Sequence, residues 1–368
     1  MEYKMDKTKD ICYIDGKEYL LSDVEKMGID NFSISAHIHP YKSLFKYYPN
    51  TTKYIQEEKK ERNYSFEALE NNTVFLQDAE NFDDCFDCAV DLDWDKFLSL
   101  RANTYCEYFN VDVKSNNIND IIHALSLKLY ELGTMEKCIE LVSSIPDEAQ
   151  RLHIEVFIRE VFIKILSNEQ WMPAIYSSIQ KEYDEFKKVI SNFKISCFST
   201  SPYLNRMWSS AYADNNKGFC VEYEIDLSTK NGIDLYNNIL PVIYSQARND
   251  FLPLSKNLDK SITQEDLWQM YFNGLLRKSI HWKDQLEWRL ILCDGFIQQN
   301  PIPFFKIKKV YLGNKMIVKE RRKIINFCRR NNIEYIGLVR ANNSFDLIDC
   351  KADCYICINR TNKPMERR

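Results

Sequence analysis

A mixed α+β fold, with a mostly antiparallel β-core interrupted by an all-helical insertion, follows from three observations in this sequence. Short β-favouring runs bounded by turn residues occupy two separate stretches, 41–90 and 192–359. Between them, 91–191 carries apolar residues at helical spacing almost throughout. Capping residues stand where the helices of that middle block start and stop. The expected division is an N-terminal extension (1–40), a first part of the core (41–90), the helical insertion (91–191), a second part of the core (192–359) and a charged tail (360–368).

Composition narrows the class. The chain has 368 residues, 45% of them hydrophobic, which is enough for a sizeable core. Only 9 are Gly and 22 are Tyr, which argues against solenoid or low-complexity designs. A net charge of −4 exerts no general pull toward nucleic acid or anionic membrane. No apolar run approaches the roughly 18 residues of a membrane span. There is no apolar signal segment at the start, and 12 cysteines in so long a chain do not read as a secreted disulfide scaffold. A reduced, cytoplasmic protein is expected. Cys85-x-x-Cys88 and Cys354-x-x-Cys357 have zinc-site spacing, but both sit in apolar or turn contexts where Cys acts as a small hydrophobe, so no metal is expected. His37-x-His39-Pro40 reads as a loop, because no acidic or Cys ligand stands at matching spacing.

In order, residues 11–19 read as a hairpin around Asp15-Gly16, and 21–27 as a short helix. Ser43–Tyr48 is a strand stopped by Pro49. Asn50 or Thr51 is expected to cap a helix through Glu61. Residues 65–70 read as helix and 73–77 as strand. The box Asn81-Phe82-Asp83-Asp84-Cys85-Phe86-Asp87 reads as an Asx-turn loop docked by its two rings.

In the insertion, Asn119 and Thr134 are expected as caps, with Gly133 closing the helix between them. Asp147 opens a long helix through Leu166, with Leu152, Val156, Ile158, Phe162 and Ile165 on its apolar face. Pro173 suits the first turn of a last helix to 190.

Beyond it, 194–199 is a strand that ends at Ser-Thr-Ser-Pro, since Pro202 cannot continue a ladder. Residues 204–213 carry Met207, Trp208, Ala211 and Tyr212 at helical spacing; 214–218 is a turn, and 219–225 alternates as a strand. Strands are expected at 240–245, Glu287–Cys293, 304–312, 333–340, 344–350 and 354–359, with a helix over 264–279. Residues 315–330 form a basic amphipathic helix, read as a solvated face, with a nucleic acid or acidic partner as the alternative. Gln285 and Glu287 aim the same way if their strand starts early enough.

Five boxes in this order resemble a bacterial family, domain of unknown function 2971: 44–47, 81–87, Cys197-Phe198-Ser199, Met207-Trp208 with Tyr212-Ala213 and Lys217-Gly218, and Trp282 with Gln285 to Arg289. The match spans roughly 43–345 and departs from the family's Asn-Asp-Pro-Phe-Asp pattern at Asp84-Cys85. That family name carries no activity. Phe198-Ser199-Thr200-Ser201 and Gln285-Leu286-Glu287 also resemble the Ser-Thr-Ser strand and Gln/Glu-x-Glu turn of the arginine-serine-glutamate class of mono-ADP-ribosyltransferases. Their first motif, usually Arg, has Lys46 as its best counterpart here, with Arg62 as an outside option. Lys is a point charge where Arg is a planar fork.

This resemblance implies NAD as substrate, with no metal. Glu287 would stabilise the oxocarbenium-like ribose as nicotinamide leaves, Ser199 would orient Glu287, and Gln285 would position the acceptor, a protein or nucleic acid. Lys46 would pair with the pyrophosphate and Tyr212 or Trp208 would stack on nicotinamide, with Tyr47, Thr200, Ser201 and Arg289 completing the pocket. It further implies a toxin-like effector in bacterial conflict or phage defence. The plainer readings are a strand end for Ser-Thr-Ser, core packing for Trp208 and Tyr212, and an edge ion pair for Glu287 with Arg289. Two other functions stay open: a nucleotide-sensing or interaction module that binds without turnover, and a nuclease holding Mg²⁺ on Asp83, Asp84 and Asp87.

Overall fold

The computed structural model describes residues 10–14, 17–20, 42–82, 84, 87–88, 93–246 and 274–350. The chain is mixed α+β with mostly antiparallel sheets, and it divides into two compact units. The long helices between 94 and 191 belong to one unit; all described strands belong to the other.

The helical unit contains Trp94–Tyr108, Ile118–Leu132, Met135–Val142, Glu148–Leu166 and Trp171–Ser191. Side chains satisfy the free N–H groups at four helix starts: Asp93, Asn117, Thr134 and Asp147 each accept from a first-turn N–H. Asn117, not Asn119, is the cap of the second helix, and Gly133 ends it in the left-handed region at φ 76°. The buried face of Glu148–Leu166 is Ile154, Phe157, Ile158, Val161 and Phe162; of the five residues expected inside, Ile158 and Phe162 are buried and Ile165 is half-buried, whereas Leu152 and Val156 are exposed. The helix is apolar on more than one side, so spacing alone does not select the stripe that meets its neighbours. Inside this unit Arg101, 1% exposed, pairs with Glu182 (Nε–Oε2 2.9 Å), and Tyr105 stacks on Phe157.

The β unit is built on one large sheet. Its strands run in the order Ile239–Pro241, Glu287–Cys293, Phe193–Ser199, Ser43–Tyr48, Phe219–Glu224, Lys306–Leu312, Glu334–Arg340 and Leu347–Cys350. All these neighbours are antiparallel except Lys306–Leu312 with Glu334–Arg340. Phe219–Glu224 was expected to alternate, yet its first five residues are all buried, because both faces of this central strand are covered. Gly218 precedes it as a contact requirement: a Cβ there would lie 2.1 Å from the Tyr48 carbonyl oxygen.

The sheet is split at one place. Phe193–Ser199 pairs with Glu287–Cys293 along its whole length, but with Ser43–Tyr48 only at Phe45 opposite Ser199. Lower down, Gln77–Asp78 takes that edge, opposite Ile195 and Lys194. Backbone groups between those pairings are freed from the ladder.

Several expected elements differ. The segment after Pro49 is a hairpin, Lys53–Ile55 with Lys60–Arg62, rather than a helix; its only apolar residues are Tyr54 and Ile55, so a helix there would have no stripe to bury. The 73–77 strand is two short ones, Thr73–Val74 and Gln77–Asp78, in different sheets. The 240–245 strand is likewise divided: Ile239–Pro241 joins the large sheet, and Ile243–Ser245 joins a four-stranded sheet with Ile11–Ile14, Lys17–Leu20 and Arg277–Ser279. Val242 between them donates its N–H to the Glu287 carbonyl (3.0 Å). Arg277–Ser279 is therefore a strand, parallel to Ile243–Ser245, where helix was expected. The 204–213 helix breaks at Ser210 into Asn205–Ser209 and a 3₁₀ turn, Ala211–Ala213. The basic helix is Val318–Arg330, with Arg321 buried and Lys323 over the Phe66 ring. Expectations for 21–27, His37 and His39, Cys85, most of 264–279, Cys354 and Cys357, 354–359 and the tail lie outside the described residues.

Candidate functional site

The split creates a cavity. It measures about 520 Å³ and is bordered by Lys46, Tyr47, Ser196, Cys197, Ser199, Tyr212, Lys278, Gln285 and Glu287, with Phe75, Phe82, Asp84 and Asp87 on further sides. That volume is in the range of small-molecule sites.

Glu287 opens its strand directly opposite Ser199. Residues facing each other across an antiparallel pair share a face, so Phe45, Ser199 and Glu287 do so. The Ser199 hydroxyl nevertheless donates to the Gln285 carbonyl (2.8 Å), not to Glu287. The reason is local. Gln285 ends a 3₁₀ helix, Ile280–Gln285, and Leu286 turns the chain through the left-handed region at φ 45°. Gln285 is thus not on the strand, and its carbonyl is turned toward Ser199. Its buried amide Nε2 has no hydrogen bond of good geometry among the described residues, though the Gln285 side chain lies near enough to the Tyr212 phenol to pull that group's pKa down.

The Glu287 carboxylate is held by two cations. Lys278 Nζ lies 2.6 Å from Oε2, and Arg289 Nε lies 2.7 Å from Oε1. Both cations also meet Asp87: Lys278 Nζ is 2.8 Å from Oδ2, and Arg289 pairs with Oδ1. The four side chains close a ring of two acids and two bases, none more than 5% exposed. Burial pushes the Glu287 carboxyl up, but Arg289 and Lys278 pull it further down, so it stays ionised. Burial opposes the charge on Lys278 as well, and Glu287 more than restores it. The Tyr244 hydroxyl accepts from the Glu287 N–H (2.9 Å), which fixes the strand end.

Lys46 follows Phe45 and points to the other face of its strand. Its ammonium reaches into the split, donating to Ser196 Oγ (2.8 Å) and the Cys197 carbonyl (3.0 Å). Burial pushes it below its ordinary value, against the pull of Cys197 and Glu287. Among the described residues two of its three N–H groups find oxygen acceptors, and the ammonium also lies 5.0 Å from the centre of the Phe198 ring. Tyr212 is 41% exposed at the cavity edge, its phenol pushed up first by burial. Tyr47 borders the cavity, but its hydroxyl is committed to the Ser201 carbonyl (2.8 Å).

The remaining candidates stand elsewhere. Trp208 is 1% exposed, donates Nε1–H to the Pro202 carbonyl (2.7 Å) and meets Tyr47 edge-on, which makes it core. Thr200, Ser201 and Arg289 do not border the cavity: Thr200 and Ser201 lie past the strand end, and Arg289 is behind Glu287 in the ion ring. Arg62 lies in the Lys60–Arg62 strand, paired with Glu58 and Glu67. In the acidic box, Asp84 accepts from Trp282 Nε1 (2.9 Å), and Phe82 lies under the Arg289 guanidinium. Asp83 lies outside the described residues, among which no group of three or more His, Cys, Asp or Glu is placed to hold a metal. No described helix is long and apolar enough to cross a membrane.

Lys278 was missed as a site residue, and Asp87 was named only as a Mg²⁺ ligand of the nuclease alternative, not as a neighbour of Glu287. A Lys in a stretch read as helix has no sequence signal for a buried pairing 9 residues downstream. Asp87 had one: an acid closing a box rich in turn formers and rings. No protein-family model, curated protein or solved structure matches the chain.

Proposed function

We propose that this protein cleaves NAD, as an ADP-ribosyltransferase or NAD glycohydrolase on an ADP-ribosyltransferase-like core. The observation that carries the reading is that the strands bearing Lys46, Ser199 and Glu287 lie side by side and border one cavity. In the reaction the bond from ribose C1′ to the nicotinamide nitrogen breaks, and its electron pair leaves with nicotinamide. Glu287, held ionised, stabilises the developing positive charge on the ribose. Water or an acceptor nucleophile then bonds to C1′ and gives up its proton to solvent water. The Gln285 Nε2 amide, which has two N–H groups, has a donor to offer that incoming group beside Tyr212. The Lys46 ammonium serves the pyrophosphate, and Tyr212 at the edge packs on nicotinamide. The acceptor is a protein, a nucleic acid or water, and a toxin-like or antiviral effector role is part of the same reading.

One observation favours a second reading, a module that binds a nucleotide without turning it over. Each Glu287 oxygen already has a cationic partner, and the ring of four charges is neutral as it stands. Nicotinamide release separates the two, measured with wild type and Glu287→Gln, with and without chelator and cell extract as acceptor source. Transfer or hydrolysis requires release that resists chelation and falls by roughly two to three orders of magnitude in the variant, the scale of one preorganised electrostatic contact. NAD binding without release would leave the binding module. Release that the variant retains in full would remove Glu287 from the mechanism.

A further inference from the structure

We propose that Asp87 and Lys278 are positioning residues: with Arg289 they pin the Glu287 carboxylate at the cavity wall and set the charge it presents there. Its activity arm rests on the NAD-cleaving reading. Neither residue belongs to the two motif triplets, and Asp87 gives the acidic box a task that neither an Asx turn nor a metal site supplies.

Geometry carries the inference. Lys278 is shared between Glu287 (2.6 Å) and Asp87 (2.8 Å), and Arg289 is shared between the same two acids. Neither Glu287 oxygen can rotate away without abandoning a cation in a buried place. Of the four, Lys278, Asp87 and Glu287 border the cavity, while Arg289 stands behind. Among the described residues, the other titratable groups that act on Glu287 are Lys46, which is bonded to Ser196 and Cys197, and the Cys197 thiol and Tyr212 and Tyr244 phenols, whose pKa values are all raised, first by burial, so that they stay neutral. Lys46, Lys53 and Asp84 also stand on the cavity wall, but the charges in direct contact with the Glu287 carboxylate are those of the ring.

The ring's balance matters for a reaction that develops positive charge. With all four groups the ring is neutral, and its anion nearest the ribose is Glu287. Without Asp87 the ring carries one excess positive charge, which opposes an oxocarbenium-like ribose. Without Lys278 it carries one excess negative charge, and Glu287 takes up a proton more readily. Removing both restores neutrality.

The test uses the full chain as wild type, Asp87→Asn, Lys278→Met and the double variant, each first checked by thermal melting. Turnover and KM are read from nicotinamide release across pH, and the Glu287 carboxyl is followed by carbon-detected NMR titration. We expect Asp87→Asn to lower kcat about tenfold with KM changed less than about threefold, the pattern of an interaction made in the transition state. Lys278→Met moves the acid limb of kcat and the Glu287 titration upward by about one pH unit or more. The double variant recovers part of the activity lost in Asp87→Asn, a non-additivity that mere loosening of the fold does not produce. If wild type releases no nicotinamide, the NAD reading fails, and the titration still decides the pinning. A Glu287 titration unmoved by Lys278→Met overturns the proposal, and so do kcat losses that simply multiply in the double variant. If Lys278→Met does not fold, Lys278→Arg takes its place and is expected to hold both the titration and the acid limb near wild type; a shift as large as that expected for Met overturns the proposal.

Discussion

Ser199 and Glu287 stand opposite each other on adjacent antiparallel strands, yet the Ser199 hydroxyl is spent on the carbonyl of Gln285. Ser199 therefore acts on the turn that carries Gln285, and the Glu287 carboxylate is oriented by Lys278 and Arg289 instead. Ser199→Ala removes a buried hydrogen bond and leaves a carbonyl without its donor. The expected cost is about 1–3 kcal/mol in denaturant melts. On the proposed NAD-cleaving reading, transfer to an acceptor, in which Gln285 takes part, should suffer more than hydrolysis. Equal loss of both activities would return Ser199 to the carboxylate.

The ion ring sets an acid limit on stability. The folded-state pKa of Glu287 lies below its unfolded value. Its contribution is therefore complete above the ordinary Glu range, about pH 4.3, and is lost as pH falls through the depressed folded value. Below about pH 4 the melting temperature of wild type should fall more steeply than that of Glu287→Gln, which lacks this group. Parallel melting curves would show that the carboxylate contributes nothing through protonation. At neutral pH Glu287→Gln should melt lower, because it leaves two buried cations with one acid; breaking such a pair costs roughly 3–5 kcal/mol.

Trp208 packs in the core, and its substitution should be felt as stability. Trp208→Phe keeps most of the ring contact with Tyr47 and deletes the Nε1–H donated to Pro202. The expected loss is about 1–3 kcal/mol, from the orphaned carbonyl. If NAD binds as proposed, its affinity, measured by calorimetry, should stay within about twofold, a difference of roughly 0.4 kcal/mol. A tenfold weakening would place the indole against the ligand.

The helical unit has its own buried charge pair. Arg101 is 1% exposed and is held by Glu182 on another helix. Arg101→Ala leaves that carboxylate with less compensation and opens space beside Tyr105. A loss of about 3–5 kcal/mol is expected in the unfolding of this unit. Arg101→Met, which keeps the volume, should lose less if packing dominates; equal losses would assign the effect to charge.

Elements whose cause is local could be read from residue order. The strands Ser43–Tyr48, Phe193–Ser199 and Glu287–Cys293 and the capped helices of 94–191 were legible because β-favouring runs, turn residues and caps act within a few residues. The three strands that matter for the cavity were also named from their motifs. The sequence did not reveal that 240–245 divides between two sheets, that Gln285 leaves the strand at Leu286, or that Lys278 sits on a strand beside Glu287. Those features depend on pairings across long separations: Asp87 meets Arg289 over 202 positions. A buried charge is tolerated only where its counter-charge arrives from elsewhere in the fold. No local pattern encodes that arrival, so the ring around Glu287 was decided by tertiary structure alone.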